Sequence, residues 1–499
     1  MLEAGLADLT DIALNPASDV PMYRQLADSV SSLIAGKAVQ PGDKLPPTRE
    51  LAGQLGVNRT TVSAAYALLE RSGLIEGCVG RGSFVTGGQK PALRAIDWEL
   101  IFPAAESPFP APLNGIEISF ANSRPAEADF PVAEFRRMTK QVIDGPDAPE
   151  ILQLGSPHGY APLRRYLLED AVRRGIARPG DDLIITNGCQ QALDLLARLF
   201  TNAGSSFVVE DPAYHGLVRI LARTGAVIIP VPIDANGLDV DALETRLSAV
   251  DNHRPRVLIV TPSFQNPTGA TLSAERRKRL VEIAQRTGLI VIENDIYSEL
   301  RYEGSRLATL KELDASGNTI LLRSYSKISF PGLRVGWTIA PRPLIARLAE
   351  ARQVSDLHSD QLSQAVLFRF AESGGLAHHL DRTRRAGAAR LRAVLEACKK
   401  YLPAGARFTR PEGGMNLWIE LPAPLSAEGV LSRVQDRGVT FLPGRYFSTG
   451  AAHARALRIS FGGLTPEQID RGMRTIGEVA RAELASAGTT KFQAAAALV

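Results

Sequence analysis

Lys327 lies in the stretch SYSKISFPGLRVGW, Ser324 to Trp337, three residues after Ser324 and seven before Arg334. An apolar run ending in Leu322 precedes it, and small, hydroxyl and turn residues surround it. One amine, two hydroxyls and one guanidinium in so short a span suit the holding of a phosphorylated aldehyde. The amine forms a Schiff base with the carbonyl carbon, while the hydroxyls and the guanidinium receive the phosphate. The competing reading is a surface lysine in a loop. A second phosphate-suited segment lies upstream. Asn187-Gly188-Cys189-Gln190 follows the apolar run that includes Ile185 and opens a helical pattern running through Leu199. A tight glycine turn into a helix N-terminus presents backbone N–H groups to a phosphate, although glycine before a helix is ordinary.

The Ser324–Trp337 segment resembles the cofactor-lysine signature of the fold-type I aminotransferases, which use pyridoxal 5'-phosphate (PLP). Other residues agree with such a group. Tyr214, in Asp211-Pro212-Ala213-Tyr214, is a candidate ring to stack on a pyridine. Asn266, in the run Thr261 to Gly269, can donate to a phenolic oxygen. Asp295 ends the run Ile290 to Asn294, and an acid ending a buried strand is expensive without a cationic partner. A protonated pyridine nitrogen is such a partner, and it makes the ring an electron sink. The alternative for Asp295 alone is an acid in a loop that caps a helix. Tyr297, two residues on, is expected on the same side of an extended chain, within reach of the phenolic oxygen.

From about residue 117 to residue 484 the chain resembles the class I/II aminotransferases. The resemblance implies Lys327 as the Schiff-base lysine, Asp295 on the pyridine nitrogen, Asn266 and Tyr297 on the phenolic oxygen and Tyr214 over the ring. It assigns Gly188, Cys189, Gln190, Ser324 and Arg334 to the phosphate. Ala456 to Phe461 matches the segment carrying the arginine for a substrate carboxylate, which makes Arg458 that candidate. Gly413 to Trp418 and Gly438 to Gly444 look like the family's smaller C-terminal domain, about residues 375–484. Three positions depart from the family pattern. Leu154 stands where a tyrosine reaching a neighbouring subunit's cofactor phosphate is usual. Ser123 replaces a glycine near the substrate carboxylate, and Cys189 a common serine. The first two weaken the case for efficient turnover.

The elements that must position these groups are legible as alternating patterns. Leu183 to Thr186, Ser206 to Val209, Val227 to Ile229, Val257 to Val260, Leu289 to Ile292 and Thr319 to Leu322 are β-branched runs, and helical segments separate most of them. That alternation predicts an α/β domain with a mostly parallel central sheet, whose ligands collect past strand ends.

The first part of the chain is different. Residues 1–20 show weak periodicity and read as an arm. Tyr23, Leu26, Ala27, Val30, Leu33 and Ile34 recur at helical spacing and Gly36 stops them. A short helix is expected from Arg49 to Leu55. Gly56 ends it, and Asn58 caps the next helix, whose apolar face is Val62, Ala65, Tyr66 and Leu69. Leu74 to Glu76 and Ser83 to Thr86 read as two short strands around Gly80-Arg81-Gly82. Residues 21–88 thus form a winged helix-turn-helix. Such a module sets the N-terminal side chains of its second helix, here Asn58, Arg59, Thr60 and Thr61, into a major groove. Arg49 would lie near the backbone, and Arg81 at the wing tip near a phosphate or minor groove. Between Pro21 and Lys90 eight basic residues stand against five acidic ones, a balance of +3. The alternative is a protein-binding three-helix module. The run PGDKLPPTRELAGQLGVNRTTVSAAYALLERSGLIEGCVGRGSFV is similar to the winged-helix domain of GntR-type regulators. Pro47 stands where that family usually has a capping serine, a cap that Thr48 would have to replace.

Residues 89–116 carry Pro91, Pro103, Pro108, Pro110 and Pro112 and read as a semi-extended tether spanning several tens of ångströms, with a short amphipathic piece near Trp98. After Ala485 a disordered tail is expected. The length of 499 residues implies two or three domains. A net charge of +4 excludes a uniformly basic nucleic-acid binder, so any DNA-binding surface is local. Three distant cysteines, Cys78, Cys189 and Cys398, offer neither a disulfide framework nor a metal site and fit a reducing cytoplasm. No stretch has the length of a membrane span.

A GntR-like winged helix, a proline-rich tether and an aminotransferase-like domain in this order resemble the MocR/GabR family of bacterial transcriptional regulators. The family implies a homodimer, PLP at the subunit boundary and double-stranded DNA half-sites as partners. It also implies an amine, an amino acid or PLP itself as the sensed molecule, through an aldimine at Lys327. Two other readings remain open at this point. One is a working aminotransferase with an accessory DNA-binding domain; the other is a PLP-binding scaffold whose winged helix binds protein.

Overall fold

In the computed structural model, the described residues are 7–78, 81–86, 96, 98–101, 115–201, 206–248, 256–450 and 453–496. The chain divides into two compact units, Met1–Ser107 and Pro108–Val499.

The first unit is built from three helices, Met22–Ala35, Thr48–Leu55 and Arg59–Arg71, and a two-stranded antiparallel wing, β1 (Ile75–Cys78) and β2 (Gly82–Val85). Helical spacing brings Leu26, Val30, Leu51, Val62, Ala65 and Leu69 to one core, which the wing residues Ile75 and Val85 complete. The Tyr66 hydroxyl donates to the Pro46 carbonyl at 2.7 Å and ties the third helix to the entrance of the second. The N-terminal arm is not frayed throughout: Ala7 and Leu9 are buried in the same core. No side-chain cap forms at Pro47, so Thr48 does not replace the missing serine. Gly80 and most of the expected tether lie outside the described residues; within the tether a four-residue helix, Trp98–Ile101, is described.

The second unit starts with β3 (Ile118–Ser119). Its main sheet comprises β4 (Asp181–Thr186), β5 (Ser206–Asp211), β6 (Val227–Asp234), β7 (Gly237–Leu238), β8 (Arg256–Val260), β9 (Ile290–Asn294), β10 (Thr319–Ser324) and β11 (Gly336–Pro341). Their spatial order is β4-β11-β10-β9-β8-β5-β6-β7. The pairs from β10 through β9, β8 and β5 to β6 are parallel, while β11 runs antiparallel to both its neighbours. The expected mostly parallel sheet is therefore present with two further strands, the short β7, antiparallel to β6, and β11, which sequence reading did not separate from the lysine loop. Helices cover both faces, burying apolar runs such as Ile259, Ile292 and Leu322 on one side and Leu258, Val260 and Val291 on the other.

A smaller sheet, β12 (Arg407–Phe408), β13 (Asn416–Glu420), β15 (Leu442–Pro443) and β16 (Ala456–Ser460), follows; between its members β14 (Val439–Thr440) pairs with β3. Helices Gly375–Tyr401, Ala427–Gln435 and Pro466–Ala496 accompany these strands. The last of them corrects the expected tail. The alanine-rich chain after Ala485 continues the helix to Ala496, as the high helix propensity of alanine favours. No described helix is long and apolar enough to cross a membrane.

Candidate functional site

The C-terminal ends of β5, β8, β9 and β10 open on one cavity of about 400 Å³. Its lining includes Cys189, Gln190, Tyr214, Asn266, Tyr297, Ser324, Lys327, Arg334 and Arg458. Residues spread over some 270 positions of sequence thus meet where strands end, as the topology of parallel sheets requires.

Lys327 ends the tight turn Tyr325–Lys327 immediately after β10. Its Nζ donates to the Ser123 carbonyl oxygen and lies 5.9 Å from the centre of the Tyr297 ring. The Tyr297 hydroxyl is 3.2 Å from Ser123 Oγ and accepts from Asn416 Nδ2 at 3.4 Å. Ser123, a serine at a family glycine position, thereby touches both the lysine and the tyrosine. Tyr214 stands across the cavity, its hydroxyl 3.2 Å from Gln190 Oε1 and its ring edge-on to His215. Burial pushes the His215 imidazole down to about 4, so at neutral pH it adds no charge.

The anion end is built from two turns. Gly188 begins the helix Gly188–Phe200 with φ +74°, and a Cβ there would lie 2.7 Å from Arg334 Nη2. Only glycine combines that backbone with that approach. Arg334 Nη2 donates to the Asn187 carbonyl at 3.3 Å, and Nη1 to Ser326 Oγ at 3.3 Å. Ser326 in turn accepts from Ser324 Oγ at 2.8 Å. Two serine hydroxyls, a guanidinium and a helix N-terminus therefore face one volume, a suitable cradle for a phosphate. The Cys189 thiol, raised to about 12 by burial, stays neutral beside it.

Arg458 projects from β16 and is fully buried. Its Nη1 donates to Asn266 Oδ1 at 3.1 Å, Nη2 to the Ala121 carbonyl, and its buried Nε has no partner among the described residues. No carboxylate pairs with it among those residues, and burial pushes the guanidinium down to about 10. A buried, unpaired cation at a cavity wall is a ready site for a carboxylate.

Asp295 stands just past the end of β9. Its Oδ2 is held by Arg323 Nη2 at 2.7 Å and Nε at 3.0 Å and by Ser298 Oγ at 2.8 Å, and Asp295 is absent from the cavity lining. Its Oδ1 is buried without a hydrogen-bond partner among the described residues. Asn294, the last residue of β9, lines the cavity. Sequence reading gave no role to His215, Thr261 and Asn416. None carries a local signal; each arrives from a distant segment or stands next to a residue already chosen.

PLP fits this cavity: among the described residues the lining holds Lys327, Arg124, Arg334 and Arg458 and no acid, and the Gly188 turn leaves the space a side chain would fill. Residues 126–476 match the aminotransferase class I and II family. The chain belongs to that family. Residues 22–85 match the gntR family of bacterial regulatory proteins. Aromatic-amino-acid aminotransferase 1 of Thermococcus litoralis is 35% identical over 370 residues, 74% of this chain and 88% of that protein. The probable rhizopine catabolism regulatory protein MocR of Rhizobium meliloti is 28% identical over 485 residues, 93% of this chain and 95% of that protein. Among solved structures, the alpha-aminoadipate aminotransferase LysN of Thermus thermophilus, complexed with N-(5'-phosphopyridoxyl)-L-leucine, is 35% identical with a TM-score of 0.72. The match covers 78% of this chain and 100% of that one. A GntR domain fused to an aminotransferase-like domain is the organisation of the MocR-type regulators, and the cofactor of the second unit is PLP.

In the GntR unit Asn58 Oδ1 accepts from the Thr60 backbone N–H at 3.1 Å, so this side chain is spent on capping the helix Arg59–Arg71. Arg49, Arg59, Thr60 and Arg81 are exposed and Thr61 half-buried. The three arginines make no ion pair among the described residues and so carry free charge for phosphates.

Proposed function

We propose that this chain is a PLP-dependent, DNA-binding transcriptional regulator whose second unit senses a primary amine, an amino acid or the cofactor itself at Lys327. The observation that carries the reading is the meeting of Lys327 and the unpaired Arg458 in one cavity, in a chain whose first unit presents the free charges of Arg49, Arg59 and Arg81. When bound, PLP supplies an aldehyde with which a primary amine condenses. Lys327 holds the cofactor and yields its place to the incoming amine. Arg334, Ser324, Ser326 and the N-terminal turn at Gly188 anchor the phosphate, with Cys189 and Gln190 beside it. Asn266 and Tyr297 orient the ring at its phenolic oxygen, and Tyr214 covers its face. Arg458 selects a ligand carrying a carboxylate. The bound amine shifts an equilibrium between shapes of a homodimer that space two winged helices differently on operator half-sites. Arg49, Arg59, Thr60, Thr61 and Arg81 make the DNA contacts, and the regulator works in the cytoplasm.

A footprint on the DNA upstream of the protein's own gene, with and without PLP and then with added amines, tests this. Paired protected half-sites that respond to either addition are expected. No specific protection in any condition overturns the regulator reading. A working aminotransferase is the second reading, favoured by the joint presence of Lys327, Asn266, Tyr297 and Arg458 at one cavity. Keto-acid formation at ordinary enzyme rates from a panel of amino acids decides for it.

A further inference from the structure

Arg323 is the next-to-last residue of β10, one position before Ser324. Successive side chains of a strand point to opposite faces, so Ser324 lines the cavity while Arg323 lies behind its wall. There it is buried and donates twice to Asp295 Oδ2, from Nη2 at 2.7 Å and from Nε at 3.0 Å. Ser298 Oγ adds a third donor to the same oxygen at 2.8 Å. Three donors saturate Oδ2 and fix the rotation of the carboxylate. Oδ1 is left buried, and no group among the described residues donates to it. A buried carboxylate oxygen without a donor is costly, and the donor that suits this one is brought by a ligand.

Arg323 is itself braced. Its Nη1 lies 3.6 Å from Glu299 Oε1. Glu299 is held from two further elements. Arg174, which follows the helix Ala161–Arg173, donates to Oε1 at 2.9 Å, and Arg384 of the helix Gly375–Tyr401 donates to Oε2 at 2.9 Å. Both oxygens of Glu299 are thus engaged, and it stays beside Arg323. The other charged or ionisable groups around Asp295 are occupied elsewhere. Glu293 accepts from the Leu310 and Lys311 backbone N–H groups at 2.9 Å each. Arg277 donates to the Leu272, Ala308 and Pro262 carbonyls, and the Cys189 thiol is neutral. Lys327 and Arg334 line the cavity and donate to Ser123, Ser326 and Asn187. Arg323 is therefore the one cation paired with Asp295 among the described residues.

We propose that Arg323 is a positioning residue of the cofactor site, which keeps Asp295 ionised in the cofactor-free protein and leaves Oδ1 as the acceptor for the N–H of the ring nitrogen. A buried acid without a cation takes up a proton, because burial disfavours the charged form. Asp295 would then meet the ring as a neutral acid and would have to lose that proton before an ion pair formed. With Arg323 in place the carboxylate is charged and oriented beforehand, and binding needs no such step. The inference rests on the proposed function, in that it takes PLP as the ligand and gives Asp295 the ring nitrogen.

The test counts the protons exchanged when PLP binds the full chain, by titration calorimetry in two buffers of different ionisation enthalpy. A buried acid without a partner titrates up to about 3–5 units above its ordinary value, so at about pH 6 Asp295 should be protonated in cofactor-free Arg323→Met. PLP binding to this variant should be weaker and should release about one proton more than binding to the wild type. A purely structural loss weakens binding and leaves the count as it was, so equal counts overturn the inference. The wild type gives a reading that needs no variant. Adding PLP should remove no protonated-carboxyl band from its infrared spectrum, and the loss of such a band overturns the inference. Failure of the wild type to form any absorbing adduct that Lys327→Ala abolishes is a different result, and it overturns the PLP reading together with this one.

Discussion

Replacing Arg458 by methionine separates what this guanidinium costs the fold from what it contributes to recognition. The side chain is fully buried, with hydrogen bonds to Asn266 and the Ala121 carbonyl and no acid beside it among the described residues. Its value of about 10, against the much higher ordinary one, means that keeping the charge costs the folded state on the order of 3 kcal/mol. The folded value lies below the unfolded one, so the cost is fully present at neutral pH and is relieved only above about 10. The two hydrogen bonds return roughly 1–1.5 kcal/mol each. Arg458→Met should therefore leave the ligand-free protein about as stable as before, or slightly more so, in a denaturant titration at neutral pH. Recognition should behave differently. A carboxylate pairing with a desolvated guanidinium is worth about 2–5 kcal/mol, and the existing Asn266 contact argues for the low end, about 30-fold in affinity. The assay titrates the lysine-bound chromophore with L-alanine and with ethylamine, which lacks the carboxylate. The ratio of the two dissociation constants should collapse by about 30-fold in the variant. An unchanged ratio, or a loss of more than about 3 kcal/mol in ligand-free stability, would refute the reasoning.

Gly188→Ala meets both a positive φ of 74° and Arg334 Nη2 at 2.7 Å, a strain of about 1–3 kcal/mol; PLP should be retained at least several-fold less tightly in equilibrium dialysis, and equal retention would contradict the cradle. Asp295→Asn breaks a buried ion pair and should cost about 3–5 kcal/mol in chemical denaturation; unchanged stability would contradict the pairing with Arg323. Arg49→Ala with Arg59→Ala should weaken DNA binding and reduce the slope of log affinity against log salt by about 2; an unaltered slope removes these residues from the interface.

The surroundings of Arg458 show where reading a chain reaches its limit. Lys327, Ser324 and Arg334 share one short segment whose residue types already spell out a phosphate and an amine, and the GntR helices announce themselves by periodicity, a cap at Asn58 and the glycine stops. These are local patterns, and local chemistry produces them. The strands of the large sheet were legible for the same reason, except the two-residue β7 and β11, whose short run Gly336–Pro341 follows so closely on the lysine loop that no turn signal separates them. What the sequence by itself determined is therefore the class of each unit and the short segment that gathers Lys327, Ser324 and Arg334. Only the tertiary structure decided that Asn294, which no local pattern marks, lines the cavity, because nothing local specifies on which face of a strand a cavity forms. It also decided that Ser123 meets Lys327 and Tyr297, and that Arg458 has no acid beside it among the described residues. Those contacts join segments up to 337 residues apart, and whether a buried charge is paired depends on neighbours that no stretch of sequence contains.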